Sequence, residues 1–139
     1  MGKSIKEVMT SNPATVETNA PVLEAARIMR NEDTGIVPVV EGGRLTGTVT
    51  DRDIVVRLIA EGRDAQSAMV REIASTDLVT VDPEQDLDEA LRLMASNQVR
   101  RLPVVEENGR LVGVVSQADV AREAKDKKTG QLVEEISRD

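Results

Sequence analysis

The 139-residue chain contains no cysteine, no histidine and no phenylalanine, tyrosine or tryptophan. Each absence removes a class of chemistry. Without cysteine there is no disulfide and no thiolate nucleophile. Without histidine there is no imidazole to act as general base or metal ligand. Without aromatic rings no platform can stack on a nucleobase. Most hydrolase triads, zinc sites and aromatic single-strand binders fall together, while a carboxylate-only catalyst or a hard-cation site stays open. Basic side chains are outnumbered 18 to 25, for a net charge of −7, a poor footprint for nucleic acid or an anionic membrane. No apolar run approaches the roughly 18–20 residues of a membrane span. The start Met1-Gly2-Lys3-Ser4 lacks a secretory apolar region, and Ile5 and Lys6 stand where a myristoylation signal wants Ser or Thr. The expected location is cytoplasmic, with which the missing cysteines agree.

What is present is a 40% hydrophobic complement made of Val, Ile, Leu, Met and Ala, arranged as one unit written twice. Thr15-Val16, Glu24-Ala25, Met29 and Pro38-Val39-Val40-Glu41 recur 65 residues later as Thr80-Val81, Glu89-Ala90, Met94 and Pro103-Val104-Val105-Glu106. After one inserted residue, Gly43-Arg44-Leu45, Gly47, Val49 and Asp53 recur as Gly109-Arg110-Leu111, Gly113, Val115 and Asp119. Each unit reads β-α-β-β-α. A strand at 14–16 (78–81 in the copy) precedes a helix whose apolar residues fall at i, i+3, i+4 and i+7: Val22, Ala25, Ala26 and Met29, then Leu87, Ala90, Leu91 and Met94. Two apolar runs joined by a glycine turn make a hairpin, and a closing helix starts near Asp51 or Gln117. One copy alone leaves a helical face and a sheet face uncovered. The expected fold is therefore α+β, with the two repeats packed through their sheets about a pseudo-twofold axis. The expected bounds are 1–61 and 70–128 for the repeats, 62–69 for a linker and 129–139 for a charged tail.

The most informative local pattern is Gly47-Thr48-Val49-Thr50-Asp51-Arg52-Asp53, repeated as Gly113-Val114-Val115-Ser116-Gln117-Ala118-Asp119. A hydroxyl residue stands at each strand-to-helix junction, with Asp three residues later. Free N–H groups and a hydroxyl suit a phosphate oxygen. A carboxylate one turn in can accept both hydrogens of a ribose diol. The same spacing is also a helix capping box, satisfied internally. Duplication does not decide between the two readings, since caps duplicate as readily as sites.

The strand motif Ile36-Val37-Pro38-Val39-Val40, the run Gly43-Arg44-Leu45-Thr46-Gly47-Thr48-Val49-Thr50-Asp51-Arg52-Asp53 and their copies closely resemble the CBS domain, named for cystathionine β-synthase and found in tandem pairs. The resemblance covers about residues 5–126, and Thr50-Asp51-Arg52-Asp53-Ile54-Val55 is most similar to small stand-alone bacterial CBS pairs of the hypoxic-response type. It implies two clefts between the repeats that take AMP, ADP or ATP, with S-adenosylmethionine or NAD as further ligands and no obligatory cofactor. Each cleft takes its hydroxyl and Asp from one repeat and its adenine contacts from the other. Carried over, one site uses Thr50 and Asp53, with backbone at Val79 and Val99 facing adenine, Asp77 nearby, and Arg100 and Arg101 approaching the phosphates. The second uses Ser116 and Asp119 with Asn12, Ala14 and Thr34. Gly35-Ile36 stands where the other copy has Arg100-Arg101, so tighter phosphate binding is expected where Thr50, Asp53 and Arg101 converge.

Other features take a structural reading. Met29 and Met94 sit at helical spacing as core or dimer-face residues. Ile54, Val55, Leu58 and Ile59 give the closing helix an apolar face for the homodimer through helices that the resemblance implies. Asp51, Asp53 and Glu41 lack a cation-loop motif, so no metal site is expected. Lys125, Lys127 and Lys128 are too small a cluster for nucleic acid. The resulting expectation is a non-enzymatic, ligand-sensing module that binds an adenosine-containing small molecule and signals to an unknown effector protein, with neither nucleic acid nor membrane as partner. The alternatives are a purely structural or interaction dimer module without nucleotide binding, and an enzyme with Asp51 or Asp53 as base, for which no second catalytic group converges.

Overall fold

Apolar spacing places the two long helices where the sequence expects them. A computed structural model describes residues 3–123. In chain order these form β1 (Thr10–Ser11), β2 (Val16–Glu17), α1 (Val22–Glu32), β3 (Ile36–Glu41), β4 (Arg44–Thr50), α2 (Asp51–Asp53), α3 (Leu87–Asn97), β5 (Arg101–Val105), β6 (Leu111–Ser116) and α4 (117–123). Beyond α2 the helix widens into π-helical turns over Ile54–Ile59. Val22 and Ala25 of α1, and Leu87, Ala90 and Met94 of α3, are buried, whereas Met29 is half-buried and Leu91 exposed. Both helices stop at a left-handed residue, Asp33 and Gln98, which turns the chain back toward the following strand. Asp86 caps α3, its Oδ1 accepting from the Glu89 N–H at 3.0 Å. The start of α1 at Pro21 has no side-chain cap.

Two three-stranded sheets form, β2-β3-β4 and β1-β6-β5. In the first, β2 runs parallel to β3 with Val16 opposite Val39, and β3 pairs antiparallel with β4. The strand expected at 14–16 is realised as Val16–Glu17. Its counterpart at 78–81 shrinks to a single parallel bridge, Val81 to Val104.

The chain packs as two units. One comprises Asn12–Leu78 with Val105–Leu111; the other comprises 3–11, Val79–Val104 and 112–123 of the described residues. The first unit's core is built on Val16, Val22, Ala25, Val37, Val39, Val49, Leu58, Ala68, Val70 and Ile73. The second is built on Ile5, Val81, Leu87, Ala90, Met94, Leu102, Val104, Val115 and Val120. These units do not follow the sequence repeats. The segment leading into each repeat completes the core that holds the other repeat's long helix. Residues 4–11 and 69–76 lie 65 apart and form matching turns, the 3-10 turns Ile5–Glu7 and Val70–Glu72. Ile5 is fully buried beside α3 residues, while Val70 and Ile73 are fully buried beside α1 residues. Burying one such side chain is worth about 1.5–3 kcal/mol. Residues 62–69, the expected linker, are docked too. Ala65 and Ala68 carbonyls accept the first α1 amides, Leu23 N–H and Val22 N–H, at 3.0 and 2.9 Å.

This exchange explains the glycine at the head of each local motif. A Cβ on Gly47 would lie 2.8 Å from the Ser75 carbonyl oxygen, and one on Gly113 would lie 2.9 Å from the Thr10 carbonyl oxygen. Both approaches come from the exchanged segments, and both exclude any larger residue. The expected charged tail at 129–139, and Lys125, Lys127 and Lys128, lie outside the described residues.

Candidate functional site

Thr50 ends β4 in an extended conformation and turns the chain directly into α2. Its Oγ1 accepts the Asp53 N–H at 3.0 Å, while the Thr50 N–H donates to Asp53 Oδ2 at 2.9 Å. The second copy reproduces the pair: Ser116 Oγ accepts the Asp119 N–H at 3.0 Å, and the Ser116 N–H donates to Asp119 Oδ2 at 3.1 Å. Both motifs are thus capping boxes. Each repeat also ties its junction to the start of its own hairpin. Asp51 N–H donates to the Gly35 carbonyl at 3.0 Å, and Gln117 N–H donates to the Arg100 carbonyl at 2.7 Å.

Capping does not exhaust these groups. Each hydroxyl serves as an acceptor in the cap, so its own hydrogen is left to donate outward. Each carboxylate spends Oδ2 and keeps Oδ1, which retains lone pairs for a further donor. The side chains of Asp53 and Asp119 are mostly buried, at 15% and 13% exposure, which fixes where those oxygens sit. A hydroxyl donor beside a rigid carboxylate acceptor is chemistry suited to a ligand that carries both an oxyanion and a diol.

The two copies differ at Oδ1. Arg57 lies one turn beyond Asp53, but its Nη1 donates to the Ile73 carbonyl at 3.1 Å and its Nε stays 3.8 Å from Asp53 Oδ1. Arg122, three residues beyond Asp119, donates directly to Asp119 Oδ1 at 2.6 Å. Neither arginine was among the sequence candidates. Their i+4 and i+3 spacing from the motif Asp is the signal that finds them.

The remaining expected residues are distributed over both units. Asn12, Ala14, Thr34 and Asp77 belong to the unit that holds Thr50 and Asp53; Val79, Val99, Arg100 and Arg101 belong to the unit that holds Ser116 and Asp119. Asn12 adopts a left-handed conformation. Thr34 donates its hydroxyl to the Ile36 carbonyl at 3.1 Å, a local turn bond. Asn12, Ala14, Asp77, Val99 and Arg100 are exposed, Arg101 is half-buried at the start of β5, and Val79 packs at the edge of the second core. The structure brings together Thr50 with Asp53, and Ser116 with Asp119 and the Arg100 backbone. Among the described residues no group of three or more carboxylates is placed to hold a metal ion, and no helix is long and apolar enough to cross a membrane.

The closing helix of the first repeat was expected to present Ile54, Val55, Leu58 and Ile59 on one face. The structure divides them. Leu58 is buried in the core and Ile54 packs against it, while Val55, Val56 and Ile59 are 55%, 45% and 63% exposed. The segment carries bonds spanning five residues, such as Ala60 N–H to the Val55 carbonyl at 2.9 Å.

Comparison with known proteins bears on this arrangement. The family model described as CBS domain matches residues 5–60 and 70–126. The chain is 48% identical over 118 residues to the CBS domain-containing protein YhcV of Bacillus subtilis, covering 85% of this chain and 83% of that protein. It is 36% identical over 132 residues to hypoxic response protein 1 of Mycobacterium tuberculosis, covering 94% and 92%. Among solved structures, CBSX2 in complex with AMP superposes with a TM-score of 0.80 at 26% identity, covering 91% of this chain and 99% of that one. The CBS domain pair of MJ0100, in complex with 5′-methylthioadenosine and S-adenosyl-L-methionine, gives 0.78 at 25% identity, covering 90% and 98%.

Proposed function

We propose the function from one premise: this chain belongs to the CBS domain family. It is a non-catalytic sensor that binds an adenosine-containing ligand, AMP, ADP or ATP in the first place, and passes the bound state to a partner protein. The observation that carries this reading is the duplicated hydroxyl–carboxylate pair, in which the hydroxyl hydrogen and Oδ1 lie outside the cap. The ligands held by CBSX2 and by the MJ0100 pair, both adenosine compounds, support it.

In the proposed mode Thr50 donates to a phosphate oxygen and Asp53 Oδ1 takes the ribose diol. The adenine lies against aliphatic and backbone groups at Val79 and Val99, with Asp77 beside it and Arg100 and Arg101 toward the phosphates. The second site takes Ser116 and Asp119 with Asn12, Ala14 and Thr34. Because no ring is available, adenine is read by backbone and aliphatic contact alone. Ligand binding favours one arrangement of the repeats over others, and a partner that distinguishes those arrangements delivers the output. The exposed Val55, Val56 and Ile59 form the face on which a second copy would pack as homodimer.

A second reading has its own observation: both motifs are complete capping boxes, which a purely structural dimer module would also need. Thermal melting with AMP, ADP, ATP, S-adenosylmethionine and NAD separates the two, because a ligand specific to the native state raises the melting temperature. A rise of several degrees with at least one adenosine compound, without ATP turnover, is the expected result. No shift with any member of the panel leaves the structural module; turnover makes the protein an enzyme.

A further inference from the structure

The two proposed sites share their caps and differ in how closely an arginine approaches the remaining carboxylate oxygen, 2.6 Å at Asp119 against 3.8 Å at Asp53. We infer that Arg122 is an intramolecular plug on the Asp119 site: it occupies the oxygen a diol needs and makes that site the weaker of the two. This rests on the adenosine-binding reading.

Asp119 Oδ2 is committed to the Ser116 N–H, and Oδ1 accepts from Arg122 at 2.6 Å, so both oxygens are engaged. A charged donor at that distance makes the stronger kind of hydrogen bond, and a neutral diol must compete with it for the carboxylate. At the equivalent position of the first repeat, 66 residues earlier, stands Val56, which cannot donate. The cation there is one residue further on: Arg57 occupies the position that Glu123 holds in the copy, and it is anchored on the Ile73 carbonyl instead. Arg57 Nε faces Asp53 Oδ1 at 3.8 Å, an ion-pair distance beyond hydrogen-bond reach. Around Asp119, by contrast, Glu7, Val8, Arg122 and Glu123 line a hollow of about 200 Å³, and Lys3 pairs with Glu123 at 3.0 Å. Arg122 is the cation facing Asp119 in that hollow. Its side chain is 70% exposed, so it can swing away without unfolding anything. An exposed ion pair of this kind is a modest barrier, a bias between sites rather than a closed door.

The test uses the whole chain and adenosine, which carries no phosphate and so does not respond to the loss of a positive charge as a nucleotide would. Asp53→Ala confines binding to the Asp119 site. In that background Arg122→Ala is expected to tighten adenosine binding about threefold to fivefold, read by calorimetric titration. Raising salt, which screens the pair, is expected to tighten adenosine on Asp53→Ala but not on Asp53→Ala/Arg122→Ala. Unchanged or weaker adenosine binding on removal of Arg122 overturns the plug while leaving the sensor reading intact. Wild-type protein that binds neither adenosine nor any of AMP, ADP, ATP, S-adenosylmethionine and NAD removes the sensor reading, and the plug with it.

Discussion

The junctions at Thr50–Asp53 and Ser116–Asp119 share cap geometry to within a few tenths of an ångström, yet Arg122 hydrogen-bonds Asp119 Oδ1 at 2.6 Å where Arg57 stays 3.8 Å from Asp53 Oδ1. Duplication preserved the part that folding requires. The residues just beyond the cap, Val56-Arg57 against Arg122-Glu123, were free to diverge because nothing in the cap depends on them. Equality of the motif is therefore no measure of equality of the sites.

The exchanged segments form a second comparison and carry the largest expected effect. Ile5 is fully buried only five residues from the chain start, so Ile5→Ala should cost about 2–4 kcal/mol, like any buried Ile truncation. Denaturant unfolding followed by circular dichroism, needed because there is no aromatic fluorescence, measures it. A cost below about 0.5 kcal/mol would mean the segment does not complete the second core. Next come Gly47→Ala and Gly113→Ala. Each drives a methyl to within 3 Å of a backbone carbonyl, so each is expected to destabilise by about 1–3 kcal/mol. If one does so and the other does not, only one exchanged segment is held tightly.

The comparison of sites is sharpened by Asp53→Ala and Asp119→Ala, titrated separately with AMP. Loss of a charged acceptor costs about 1.5–3 kcal/mol. Asp53→Ala should therefore remove roughly tenfold to a hundredfold of the higher-affinity binding. Asp119→Ala should leave that phase nearly untouched, and equal losses would erase the ranking.

The smallest effect concerns pH. The backbone N–H of Ser4 holds the Glu7 carboxyl below the usual carboxylate range, as that of Met69, helped by Arg63, does for Glu72. A carboxyl whose folded value lies below its unfolded value contributes stability fully above the unfolded one and loses it as pH falls through the folded one. Melting curves below about pH 4.3 should therefore decline less steeply for Glu7→Gln/Glu72→Gln than for the parent. An unchanged slope would show that these turns do not respond to protonation.

Much of this was legible in the residues. Periodicity located α1 and α3, the glycine turns located both hairpins, and the offset of 65 to 66 residues located the paired junctions. Two things were not legible. The exchange of residues 4–11 and 69–76 depends on which core each apolar pair enters, and Ile5-Lys6-Glu7-Val8 reads the same in either. The division of Ile54, Val55, Leu58 and Ile59 depends on which of two adjacent i, i+4 pairs enters the core, Ile54 with Leu58 or Val55 with Ile59, and both pairs are equally apolar. At the site, residue type and spacing found Thr50, Asp53, Ser116 and Asp119, but not which carboxylate oxygen a neighbouring arginine takes.

The central claim is that an adenosine ligand binds and that the Asp53 junction binds it first. Calorimetric titration of AMP into the purified chain, with absorbance near 260 nm used beforehand to confirm that no nucleotide has co-purified, tests it most directly. The expected heat resolves into a tighter and a weaker event per chain, the tighter one lost in Asp53→Ala. Absence of heat with AMP, ADP and ATP alike, or a tighter event that survives Asp53→Ala and vanishes in Asp119→Ala, would contradict it.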